Sequence, residues 1–352
     1  MSGYKSAVKY GYSNARVKAM QARLLGQDTV RGIASAPDMA AVLTALFQTD
    51  YKDSITAFGG LEIKSELIDF ALSRELARAV DSLVRIAPYI ERTNVVALVS
   101  RWDLYNVKLA IEAKDRGLRY EAFSSNVIDH GRYNAVAIKE AMEADSVEAL
   151  IAKLMMNSRY VSALQAALDS YKGSHDATEA IARIDQWYYA MVSKTITSLR
   201  VAHQRSAAIL KMEIDKANLM ALLMAKRHGA DWQAVAGRII GHGNMQAQRL
   251  ESLYQGSGTV EELAQQVTEF NLADGVAAFK RTGRLLPFEI TINTGILVES
   301  MRMLRHSVLS LDSIIAYAFL KEIEVMTIRT LIKGRQYNIA KEEMDRLMAW
   351  RA

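Results

Sequence analysis

Asp103–Gly117 reads DLYNVKLAIEAKDRG, and the same design returns at Asp215–Gly229, DKANLMALLMAKRHG, and at Glu324–Asn338, EVMTIRTLIKGRQYN. Each copy opens on an acid (Asp103, Asp215, Glu324) and places a small polar residue three positions later (Asn106, Asn218, Thr327). Each then closes an apolar run with a base (Lys114, Lys226, Arg335). Between acid and base, Val107, Ala110 and Ile111, then Leu219, Leu222 and Leu223, then Ile328, Leu331 and Ile332 keep the i, i+3, i+4 spacing of one buried helix face. Ala113, Ala225 and Gly334 sit just before the closing base, where a neighbouring helix could approach closely. Copies about 110 residues apart predict an internally triplicated, all-α protein. Its three similar helical units are 1–117, 118–229 and 230–352.

Further markers keep step with the repeat. Ser35-x-x-Asp38 (with Pro37 just inside the expected helix), Asp145-x-x-Glu148 and Thr259-x-x-Glu262 read as N-terminal capping boxes, at nearly constant distance before the three acids. Ile68-Asp69, Ile184-Asp185 and Ile292-Asn293 open long helical runs over 70–86, 186–203 and 294–307. Turns are expected near Phe58-Gly59-Gly60, Gly117, Gly173-Ser174, Gly229 and Gly256-Ser257-Gly258. No long Pro/Gly/Ser linker separates the units, so they should pack on one another as a rigid body.

Composition agrees with helices. Of 352 residues 50% are hydrophobic and only three are proline, and no train of alternating β-branched runs with hairpin turns occurs. Cysteine is absent, which excludes disulfides and thiol catalysis. The net charge of +5 is spread out, and its densest knot, Lys280, Arg281 and Arg284, reads as a solvated face and not as a nucleic-acid footprint. The longest apolar stretch, 308–320, is interrupted by Asp312 and falls short of the roughly 20 residues that span a bilayer. Lys5, Lys9, Arg16, Lys18 and Arg23 precede the first acid, Asp28, a composition that imitates a transit peptide. Val17, Met20, Leu24 and Leu25 instead predict an amphipathic first helix of the folded protein.

The chain offers no enzyme constellation. It lacks G-x-x-x-x-G-K-[ST], G-x-G-x-x-G and G-x-S-x-G. His130, His175, His203, His228, His242 and His306 form neither H-E-x-x-H nor the E-x-x-H of di-iron bundles, and D-D-x-x-D is missing too. Neither a cofactor nor a small-molecule substrate is expected. Asp103, Asp215 and Glu324 could converge as a cation-binding carboxylate cluster, or each could make local helix contacts or pair with a base to fix how units pack. Repeated acids in a repeated helix favour the second reading. The 16 methionines mostly fall at helical spacing among Leu and Ala, as core.

The opening YGYSNARVKAMQARLL (Tyr10–Leu25), the triplicated acid helices and KEIEVMTIRTLIKGR (Lys321–Arg335) resemble the V-type and A-type ATPase component known as C in archaea and bacteria and as d in eukaryotes. The resemblance covers the whole chain. It implies three all-helical units in a pseudo-threefold funnel and a non-catalytic place in the central rotor. One end of the funnel would sit on the proteolipid ring at the cytoplasmic face of the membrane, peripheral to it. The cavity would receive the shaft made of the D and F subunits. Torque would then pass between ion flow and ATP turnover. Lys114, Lys226, Arg329 and Arg335 are the candidates to approach shaft or ring. The third copy departs most, with Thr327 for Asn and Asn338 for Gly117 and Gly229. The competing reading is a helical scaffold or adaptor unrelated to the ATPase.

Overall fold

The computed structural model describes residues 2–57, 65–197, 204–307, 309–337 and 339. Every regular element among them is helical, with no strand. The chain divides into two compact units. One is contiguous, Asp50–Thr195, and the other joins Met1–Thr49 to Ile196–Ala352.

The contiguous unit holds α4 (Lys52–Ala57), α5 (Ser65–Ile86), α6 (Arg92–Asp115), α7 (Ala135–Ala141), α8 (Val147–Met155), α9 (Val161–Ser174) and α10 (Ala177–Thr197). Its centre is α6, whose Leu98, Val99, Trp102, Val107, Ala110 and Ile111 are buried. Polar ties set α10 against α6: the Tyr188 hydroxyl donates to the Leu98 carbonyl at 3.0 Å, and Lys108 meets Asp185 at 2.6 Å.

The other unit holds α1 (Ser2–Gln21), α2 (Gln27–Ser35), α3 (Met39–Phe47), α11 (Gln204–Arg227), α12 (Trp232–Ala236), α13 (Ala247–Gln255), α14 (Val260–Gln266), α15 (Ala273–Thr282), α16 (Leu286–His306) and α17 (Asp312–Gln336). Residues Asp312 to Lys321 of α17 are buried without a break. A helix covered on all sides is a core helix. It packs against α16, α11 and α1 to α3. The Asn14 side chain of α1 donates to the Ser310 carbonyl and accepts from Leu309 N–H and the Ser313 hydroxyl, pinning the turn that leads into α17. Ser206 and Asp312 are hydrogen-bonded inside the core between α11 and α17.

The three motif helices end alike. Leu118, Ala230 and Ile339 each return an N–H to the carbonyl of the small residue that precedes the base, Ala113, Ala225 or Gly334. The first two closures place Gly117 at φ 67° and Gly229 at φ 65°, a left-handed turn that glycine adopts without strain. Asn338 and the expected turn at Phe58-Gly59-Gly60 lie outside the described residues, as does the end of the expected run 186–203.

Two caps differ from expectation. Ser35 ends α2 by donating to the Arg31 carbonyl, so the cap of α3 is Asp38, which accepts from Ala41 N–H. Pro37 therefore precedes the cap. The cap of α8 is Ser146, one residue beyond Asp145. Thr259 caps α14 as expected, with Glu262 accepting from Gly258.

Candidate functional site: the acid-headed helices

Asp103 on α6 is 1% exposed. One carboxylate oxygen accepts from Tyr133 N–H at 3.0 Å, and the other from the Tyr160 hydroxyl at 2.8 Å and Arg159 at 3.2 Å. One turn on, Asn106 clasps the same loop in both directions. Its amide donates to the carbonyls of Ile128 and Tyr133, and its oxygen accepts from Ile128 N–H at 3.0 Å. Lys114 then donates to the Met142 carbonyl. Burial, and next the Asp103 charge, push the Tyr160 hydroxyl far above its usual range, so it is held as a donor.

Asp215 on α11 repeats the arrangement with other donors. It accepts from Met245 N–H at 2.9 Å, Asn244 N–H at 3.1 Å and the Asn244 side chain at 2.8 Å. Asn218 exchanges two 2.8 Å hydrogen bonds with Ile240. Lys226 reaches the carbonyls of Tyr254 and Ser257, with its ammonium 3.8 Å from the Tyr254 ring centroid. Burial raises the Asp215 carboxyl and lowers the Lys226 ammonium.

The spacings coincide. In both copies the Asn partner lies 22 residues ahead, the backbone donor to the acid 30 ahead and the carbonyl for the base 28 ahead. In α17, by contrast, the N-terminal segment supplies the partners. Glu324 accepts from Leu25 N–H at 2.5 Å, and Arg335 donates to the Ala34 carbonyl at 2.9 Å. Leu25 and Ala34 stand nine positions apart, as Tyr133 and Met142 do, and Met245 and Tyr254. The third closure is thus the same closure made by the other end of the chain. Lys321, 6% exposed in its side chain, neutralises Glu324 at 2.6 Å. Thr327 returns its hydroxyl to Ile323 on its own helix.

Each of these acids has at least one backbone N–H among its partners, which the sequence reading missed. A signal for them exists: Ile128-Asp129-His130-Gly131 and Ile240-Gly241-His242-Gly243 share I-x-H-G at the matching place. The glycine is required there. A Cβ at Gly131 would lie 2.4 Å from an Asp103 carboxylate oxygen, and at Gly243 2.3 Å from that of Asp215. The N-terminal segment has Arg23 at that place, and the acid facing it is the longer Glu324.

Each acid is enclosed by donors, with no open face for a substrate. Among the described residues no group of three His, Asp or Glu could hold a metal ion. Lys114, Lys226, Arg329 and Arg335 are all half-buried. The heads of Lys114, Lys226 and Arg335 are bound to the carbonyls that close their own modules.

Residues 13–347 match the ATP synthase (C/AC39) subunit family. The chain belongs to that family. It is 24% identical to the A-type ATP synthase C subunit of Haloquadratum walsbyi over 335 residues, covering 95% of this chain and 96% of that protein. To the A-type ATP synthase C subunit of Thermoplasma volcanium it is 22% identical over 342 residues, with 95% and 96% covered. The Methanocaldococcus jannaschii protein of the same name is 23% identical over 348 residues, with 96% and 86% covered. A match along nearly all of both chains places all three acid helices inside the family, the N-terminally completed one included.

Proposed function

We propose that this chain is a non-catalytic central-stalk component of an A/V-type ATP synthase, connecting the membrane proteolipid ring to the D/F shaft and carrying torque between ion translocation and ATP synthesis or hydrolysis. The observation that carries the reading is the family match over 13–347, with relatives named as the C subunit of A-type ATP synthases aligned along almost their whole length. In this reading the repeats 1–117, 118–229 and 230–352 stand around a pseudo-threefold axis as a funnel, the third completed by the first few helices.

The interior chemistry supports a mechanical role. A coupling element must resist shear between its helices, and here each motif helix is fastened to a second segment at three successive positions in the first two copies, by groups that are buried or half-buried. Glu324 and Arg335 tie the last described helix to the segment that follows the first. No described helix is long and apolar enough to cross a membrane, and in this reading the chain sits peripherally on the cytoplasmic side. The half-buried Lys114, Lys226, Arg329 and Arg335 are proposed to approach the shaft or ring; charge reversal there should weaken shaft binding in a titration with purified D and F.

A pull-down of the tagged chain from its own membranes in mild detergent, with partners identified by mass spectrometry, tests the whole reading. Recovery of a proteolipid with head and shaft subunits is expected. A folded chain recovered without any of them would return the protein to the class of helical adaptors.

A further inference from the structure

Among its described side chains the first helix buries one face. Tyr10, Ser13, Asn14 and Val17 are buried, and Asn14 pins the turn before α17. On the opposite face Val8, Tyr12, Ala15 and Ala19, followed by Ala22 in the turn after the helix, are all exposed, Val8 by 72% and Tyr12 by 69%. A solvent-facing helix surface is ordinarily polar. These five residues alternate steps of four and three, the seam spacing of two packed helices. Positions flanking the seam are Lys9, Arg16, Lys18 and Arg23, of which Lys18 also donates to the Leu304 carbonyl at 2.6 Å and Lys9 lies over the Tyr10 ring, and no acid occurs before Asp28.

We infer that this face of α1 is a docking seam for an acid-flanked amphipathic helix of another subunit, an inference that rests on the assembly proposed above. The charge settles the choice of occupant. A second copy of the chain would set like charges against each other across the seam. A lipid surface calls for a broad apolar face, whereas this one is two residues in seven wide and mostly alanine. Alanines on a seam let two helix axes approach closely, and flanking Asp or Glu on the partner would pair with the exposed Arg16 and meet the basic field of the segment before Asp28.

Photo-cross-linking from the assembled protein tests the inference. p-Benzoylphenylalanine replaces Tyr12, with Val136, 65% exposed on α7, as the control position. The adduct from position 12 is expected to map to a helical segment of another subunit with apolar residues at the same spacing and Asp or Glu beside them. Arg16→Glu combined with Ala19→Glu should cut its yield at least tenfold while the circular dichroism and melting of the chain stay unchanged. Adducts with lipid alone, with a second copy or with a segment lacking acids overturn the inference, as does an unchanged yield. Should the tagged chain bring down no ATP synthase subunit, the assembly reading fails separately. The purified chain is then titrated with a labelled helical peptide carrying Leu on the seam and Glu beside it. Binding that a Lys-flanked version lacks supports the seam, and no binding removes it.

Discussion

Asp215 is fully buried, accepts three N–H bonds and has no ion pair among the described residues, whereas the equivalent Asp103 also meets Arg159. Burial therefore raises the Asp215 carboxyl above its ordinary 3.8. A carboxyl with a raised folded pKa binds its proton more tightly in the native state. Its contribution is full below 3.8 and is lost as pH climbs through the folded value. A 13C NMR titration should put the Asp215 midpoint above 3.8, and Asp215→Asn should flatten that part of the stability–pH profile read from urea midpoints. The loop glycines are a second test at this scale. Gly243→Ala should cost about 2 kcal/mol by overpacking, and Gly131→Ala about 3 kcal/mol because its φ of 69° adds strain. Denaturant midpoints report both. Asn106→Ala should cost about 3 kcal/mol, leaving the buried Ile128 N–H and Tyr133 carbonyl unpaired, while the Ile128 carbonyl keeps its bond from His130 N–H. Thr327→Ala, which removes only a bond within one helix turn, should cost about 0.5 kcal/mol.

Among the elements, α17 is set apart because its closure spans the chain. Its acid reaches a partner 299 residues away and its base one 301 away. Glu324→Ala would strand the Leu25 N–H and leave Lys321 buried without its counter-ion. Amide exchange across 25–34 should then rise at least tenfold, while Tyr133 N–H, held by Asp103 in the other unit, keeps its protection. Equal acceleration at both places would mean global destabilisation in place of a local clasp. The α3 cap teaches the same lesson on a smaller scale. Ser35 and Asp38 are both good capping residues, and what decided between them was the Ser35 hydroxyl bonding back into α2.

For the whole molecule, the two compact units differ in how the chain builds them. Asp50–Thr195 is a single stretch with its own core and a complete acid closure. Expressed alone, it should fold and melt cooperatively by circular dichroism; a gradual, featureless melt would show that it depends on the rest of the chain. The other unit needs both ends. Deleting residues 1–38 removes the partners of Glu324 and Arg335 and uncovers α17, so that variant should aggregate or lose its cooperative transition.

The all-helical class, the three motif helices and the glycine turns that end the first two were legible in the sequence, because helix periodicity, capping and glycine turns are local properties that a few neighbouring residues decide. The family was legible for a related reason: the order and spacing of many weak signals survive along the whole chain. What the acids do was legible only in part: pairing with a base was expected and is found for Asp103 with Arg159 and for Glu324 with Lys321, but the main-chain partners were not foreseen. Asp103, Asp215 and Glu324 bind main-chain N–H groups, and a backbone donor carries no side-chain signature, so only the I-x-H-G pair hinted at two of the three loops. That Leu25 and Ala34 complete α17 was decided by tertiary structure alone. A repeat read along a line has a first and a last copy, and only folding can hand the last copy a partner from the beginning of the chain.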